Sequence, residues 1–168
     1  MARHYMVKKC YSKTFFSFMA GYPTKAHNSG FGLQGPNRCS LNLFNNEDHN
    51  HLFFECSYSK VIWWDVCDIC NIPRMRKSWD EWIRWVTITW NGKTFRNISR
   101  KLGFTATVYC VWQEQNARIF TGMSRNSNLV FDQIKRIICD KLDLMRNVLA
   151  TDENIRIQKA WKVNNVES

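Results

Sequence analysis

Residues 39–56 read Cys39-Ser40-Leu41-Asn42-Leu43-Phe44-Asn45-Asn46-Glu47-Asp48-His49-Asn50-His51-Leu52-Phe53-Phe54-Glu55-Cys56. Two cysteines bound the run, and His51 stands five positions before the second. A small structural zinc site takes four nitrogen or sulfur ligands in a tetrahedron, often with two of them on one tight turn. The turn partner of Cys39 belongs three positions on, where the chain has Asn42. The spacing therefore predicts an irregular knuckle with Cys39, His51 and Cys56 as ligands. His49, two residues before His51, is the reserve fourth ligand.

Two rival chemistries use the same residues. A three-ligand zinc with an open position is the pattern of a catalytic site, and Glu47 or Glu55 would be its base. No Walker-type glycine loop and no Ser-His-Asp arrangement accompanies it. Alternatively, Cys67 and Cys70 form a C-x2-C pair that would complete a site with His51 and Cys56. That pair falls in a segment with Val61, Ile62 and Ile69, where core packing is the expected role. Cys10, Cys110 and Cys139 also read as core thiols.

Outward from the knuckle, helical periods dominate and no segment alternates cleanly with period two. A short helix is expected at 12–20, ending near Gly21 and Pro23, with a turn-rich stretch leading to Cys39. A second runs from Ser57 to about Cys70, stopped by Asn71 and Pro73. Ser78 and Asp80 open a third over 79–89, and Asn91-Gly92 marks a turn. The longest is expected over 94–120, ended by Gly122, with Gly103 marking close approach of another helix. A last helix over 128–150 carries the stripe Phe131, Ile134, Ile138, Leu142, Met145 and Leu149. Residues 151–168 read as a polar tail, with at most a helical turn at 155–161.

The expected fold class is thus mainly α, a helical domain with a short irregular zinc-knuckle-like insertion. Its expected divisions are a helical lead-in (1–20), the knuckle region (21–70), a helical C-terminal region (71–150) and the tail.

The chain has 168 residues, 45% of them hydrophobic, with 8 Trp and 11 Phe, enough for a packed core. No apolar run is long enough to suggest a membrane span. Seven cysteines and no apolar leader favour reduced thiols in a nuclear or cytoplasmic setting over a secreted disulfide framework. The acid-free first twenty residues also resemble a mitochondrial presequence, although Phe15, Phe16 and Phe18 read equally as a buried helix face.

Net charge is +10, and it is unevenly spread. Six Lys or Arg precede Glu47, the first acid, and residues 71–126 carry ten basic and three acidic side chains. Such asymmetry suits a polyanion, RNA or DNA. The candidate phosphate contacts are Arg38, Lys60, Arg74, Arg76, Lys77, Lys93, Arg96, Arg100 and Lys101, with Phe44 placed to stack on an unpaired base. Six Trp between Trp63 and Trp90 exceed what one core is expected to hide, which predicts an exposed Trp-rich face for a protein partner.

The run His51-Leu52-Phe53-Phe54-Glu55-Cys56, preceded by Cys39, resembles the zinc-binding domain that follows the reverse transcriptase in plant LINE-type (non-LTR) retrotransposons. Pro23-Thr24-Lys25-Ala26 and Phe31-Gly32-Leu33 are similar to its lead-in. Tyr58-Ser59-Lys60-Val61-Ile62-Trp63 is similar to the helix after its last cysteine. Trp112-Gln113-Glu114-Gln115-Asn116-Ala117-Arg118-Ile119-Phe120 resembles its Trp-x-Glu-x-Asn-Ala-Arg-Ile-Phe helix. The resemblance spans about residues 12–145. It implies a Cys-Cys-His-Cys zinc set whose second cysteine is here Asn42, and a nucleic-acid-handling region separated from its polymerase. No Asp-Asp pair of a polymerase motif occurs in the chain. The expected function is therefore nucleic-acid binding without catalysis. The alternative is a metal-free structural or protein-interaction relic.

Overall fold

In the computed structural model, which describes residues 38–163, every α-helix but the first begins at a polar side chain that caps it. Helix α1 spans Ser57–Ile69 and starts immediately after Cys56, which takes the N-cap place. Helix α2, Trp79–Thr89, opens with a capping box. Glu81 N–H donates to Ser78 Oγ at 3.3 Å, and Ser78 N–H donates to the Glu81 carboxylate at 2.7 Å. Thr94 caps α3, Phe95–Thr121, and Gly122 ends it at φ 67°, a left-handed conformation that glycine adopts without strain. Asn126 caps α4, Ser127–Leu142, and Thr151 caps α5, Asp152–Trp161. Ahead of α1 lies one π turn, His51–Glu55. Among the described residues there is no strand, only one antiparallel bridge between Arg38 and Asn46. No helix among them is long and apolar enough to cross a membrane. The expected helix at 12–20 and the lead-in motifs at 23–33 lie outside the described residues.

Helix α3 runs through the centre and packs against α1, α4 and α5. Gly103 is where α1 comes closest. A Cβ built there would lie 2.9 Å from Val66 Cγ1 and 3.0 Å from Cys70 Sγ, both fully buried. Gly103→Ala is therefore expected to lower stability by about 1 kcal/mol. Overpacking costs about 1–3 kcal/mol, more than the roughly 1 kcal/mol of helix preference that alanine brings. A urea midpoint equal to or above wild type would contradict this.

The tryptophans are mostly inside. Trp63, Trp79, Trp82 and Trp90 are buried, and Trp64 and Trp85 sit half-buried at the rim. Trp82 is the hub. It lies 5.1 Å edge-on to Trp63, 5.3 Å from Trp85 and 5.7 Å from Phe54. The two tryptophan pairs are edge-to-face, which satisfies the ring quadrupoles while burying large areas. The Trp surplus thus forms an aromatic core layer joining α1, α2 and the π turn, not the exposed face expected from composition.

Two expectations for the C-terminal third need correction. Helix α4 stops at Leu142, not at residue 150. Ile134, Ile138 and Leu142 are fully buried, but Leu149 is 76% exposed. The chain turns at Asn147, whose φ is 55°, so that 152–161 can fold back as α5. That segment is a docked helix with Ile157 and Trp161 buried. Trp161 Nε1–H donates to Ser99 Oγ at 3.1 Å, and the Cys139 thiol donates to the Trp161 carbonyl at 3.0 Å. Docking outweighs a local apolar period, since most helix stability in proteins comes from tertiary packing.

Candidate metal centre

The knuckle is built from backbone hydrogen bonds. Cys39 N–H donates to the Asn45 carbonyl at 2.8 Å, and Leu43 N–H donates to the Cys39 carbonyl at 2.8 Å. This closes a tight hairpin whose tip carries Phe44, 87% exposed. Leu43 holds φ 64°, a left-handed conformation that costs a β-carbon residue about 1 kcal/mol. Inside the turn, Leu41 N–H donates to Cys39 Sγ at 3.4 Å. Asn42 faces away from that sulfur. Its side chain donates to Asn45 Oδ1 and accepts from Phe44 N–H, both at 3.3 Å.

The π turn supplies the second half. Cys56 N–H donates to the His51 carbonyl at 2.7 Å, a five-residue step. An α-helix would place residues five apart on different faces; the wider π turn brings them nearer to one face. Cys39, His51 and Cys56 converge, with their ligand atoms all within 4.8 Å of one another. The two sulfurs are 3.9 Å apart, far beyond a disulfide bond and close to one edge of a tetrahedral zinc–thiolate site. Both cysteines are fully buried and His51 nearly so.

His51 Nε2 is buried and has no hydrogen-bond partner. A buried polar atom without a partner costs about 1–3 kcal/mol, so the nitrogen calls for a ligand. The Cys39 thiol donates to Cys56, which pushes Cys39 up and Cys56 down to about 6. Burial opposes ionisation of Cys56, while the N–H groups of Tyr58 and Ser59 at the start of α1 favour it. Two sulfurs, one of them inclined to ionise, and an unpartnered imidazole nitrogen form a donor set suited to a borderline-soft cation such as zinc. His49 does not join them: its ring lies 5.3 Å from Trp79 and 6.2 Å from Phe53.

The support comes from α3 and was not assigned from the sequence. Arg118 donates to the Leu41 carbonyl at 2.8 Å and the Ser40 carbonyl at 3.4 Å, both in the knuckle turn. It is held by Glu114 at 2.9 Å, stacks over Tyr58 at 4.5 Å and also donates to the Arg125 carbonyl. Gln115 donates to the buried Glu47, which also accepts from Ser40 N–H at 3.5 Å. Glu114, Gln115 and Arg118 thus brace the knuckle from one face of the long helix. The available signal was that Glu114 and Gln115 stand four and three residues before Arg118, spacings that place each beside it on the helix surface. Glu47 is part of this brace, and Glu55 is exposed and lines a groove with Lys60 and Trp64.

Cys67 and Cys70 are fully buried in the core, and burial pushes both thiols up, Cys70 to about 12. Cys70 Sγ contacts the Ser99 carbonyl at 3.7 Å. Cys110 is buried too.

The nine basic candidates separate into groups. Lys60, Arg74, Arg76 and Lys77 line one groove beside α1. Lys93 and Arg96 line a different hollow, where Arg96 pairs with Glu153 at 2.9 Å. Arg100 closes the end of α1, donating to the Cys70 carbonyl at 3.1 Å and the Asn71 carbonyl at 2.6 Å. Lys101 donates to the Gly92 carbonyl at 3.5 Å, and Arg38 is exposed at the knuckle's base.

Compared with protein-family models, with curated proteins and with solved structures, the chain matches none.

Proposed function

We propose that this protein is a nucleic-acid-binding module whose knuckle is held by zinc, in the manner of the zinc-binding region that follows the reverse transcriptase of LINE-type retroelements. The observation that carries the reading is the buried convergence of Cys39, His51 and Cys56 around an unpartnered His51 Nε2. Zinc would supply structure there, tying the hairpin to the start of α1. Three protein ligands leave one tetrahedral position for water or another small ligand. The brace formed by Glu114, Gln115 and Arg118 supports a structural role, because it orients the turn that carries a ligand. The net charge of +10 and the exposed Phe44 support a polyanionic partner with accessible bases.

Native mass spectrometry of the full chain with and without a chelator tests the site. The expected result is one zinc per chain, removed by chelation and absent in Cys56→Ser. Zinc kept by Cys56→Ser but lost when Cys67 and Cys70 are replaced would overturn the ligand assignment. Binding to labelled RNA and DNA must weaken steeply between low and physiological salt if phosphates drive it.

A further inference from the structure

The groove between α1 and the segment leading into α2 has a volume of about 500 Å³, within the roughly 300–1,000 Å³ range of ligand pockets. Four cations line it: Lys60, Arg74, Arg76 and Lys77. Glu55 is the one carboxylate in the lining. Trp64 forms a half-buried wall, with the Lys60 ammonium 4.5 Å and the Arg74 guanidinium 5.1 Å from its ring. Arg74 also pairs with Asp68, but both partners are about half exposed. Arg74 meets Asp68 with two parallel N–H groups, yet at this exposure the pair is worth about 1 kcal/mol, and a phosphate accepts the same fork.

The geometry points to this groove as a binding site for single-stranded nucleic acid, with Lys60, Arg74, Arg76 and Lys77 on the phosphodiester backbone and an unpaired base against Trp64. This rests on the nucleic-acid reading above and names the site and strand class. Three features select the ligand. The cations surround a hollow rather than a convex ridge, and a duplex keeps its bases stacked inside. Lys60 and Arg74 lie over the Trp64 ring, and as they move to phosphates the ring offers its π face to any base, which gives stacking without sequence preference. An acidic peptide would use the cations but brings no base to stack on the Trp64 ring. The other basic candidates do not line this groove: Lys93 and Arg96 line a different hollow, and Arg100 closes the end of α1.

Fluorescence anisotropy of the full, zinc-loaded chain tests the inference, using labelled oligouridine and labelled mixed-sequence duplex DNA. Arg76→Gln with Lys77→Gln is expected to weaken oligouridine binding about tenfold and to reduce the log–log salt slope by about 1.4, the value for two phosphate contacts on a single strand. Trp64→Leu is expected to weaken it about tenfold with the slope unchanged, because stacking is not a phosphate contact. Lys135→Gln with Arg136→Gln, on α4, should leave binding within about twofold of wild type. Circular dichroism confirms that each variant is folded. Salt-sensitive binding that ignores the groove variants overturns this site and leaves the broader function standing. Duplex bound as tightly as oligouridine overturns the single-strand assignment. No salt-sensitive binding by the wild-type chain overturns both readings.

Discussion

Glu114→Gln is expected to destabilise the protein by about 3 kcal/mol, the lower end of what breaking a buried ion pair costs. Glu114 is fully buried. Its carboxylate accepts from Arg118 Nε at 2.9 Å, Arg125 Nε at 2.8 Å and Arg125 N–H at 2.7 Å. Gln keeps the shape but removes the charge that two guanidinium groups face. Arg118 and Arg125 retain some solvent, which places the loss at the lower end. Arg118 also holds the Ser40 and Leu41 carbonyls, so a loosened brace should weaken zinc binding as well.

The pH dependence follows from the direction of the shift. Burial alone pushes the Glu114 carboxyl up, but the Arg125 N–H and the two guanidinium groups outweigh it and hold the carboxyl below its ordinary value. A carboxylate depressed in the folded state stabilises fully above its unfolded pKa of about 4.3. That stability is lost as pH falls through the folded value. The gap between wild type and Glu114→Gln should therefore be full at neutral pH and shrink in acid below about pH 4. Urea unfolding followed by circular dichroism at both pH values checks this. A gap that stays constant, or stays under about 1 kcal/mol at neutral pH, would show that the pairs add little.

Asn42→Cys is expected to tighten zinc by about thirtyfold or more. Leu41 and Asn42 both turn their N–H groups toward Cys39, the arrangement that puts position 42 beside the sulfur. A complete structural site gains roughly 10–16 kcal/mol, about 3 per ligand. Against this stand the Asn42 hydrogen bonds to Asn45 and Phe44, worth about 1 kcal/mol. The remaining 2 kcal/mol or so is about thirtyfold in affinity. Competition with a chromophoric chelator measures it. An unchanged affinity would show that a side chain at 42 keeps facing away, as Asn42 does now.

Much of this was open to a reader of the chain. Ser78, Thr94 and Gly122 mark helix ends through local hydrogen bonding and φ preference, and α2 and α3 begin and end within a residue of where those signals put them. Cys39, His51 and Cys56 are recognisable because few residue types bind soft metals. The end of α4 was not readable, because its apolar stripe continues in sequence beyond Leu142 while the chain turns to dock Trp161 on Ser99. The buried tryptophans escaped for a related reason: composition counts aromatic rings but does not say how many neighbours stand edge-on to them.

Local chemistry in the sequence by itself determined the helical class, the caps and the types of ligand, since each depends on residues a few positions apart. Only the tertiary structure decided that the reserve histidine, His49, stays apart from the cysteines. His49 and His51 are two positions apart, and a five-residue π turn points one at the sulfurs while the other lies on Trp79. It likewise decided which cations converge on Trp64 and which ones close a helix. Those choices depend on groups tens of residues distant in the chain, and no local period carries that information.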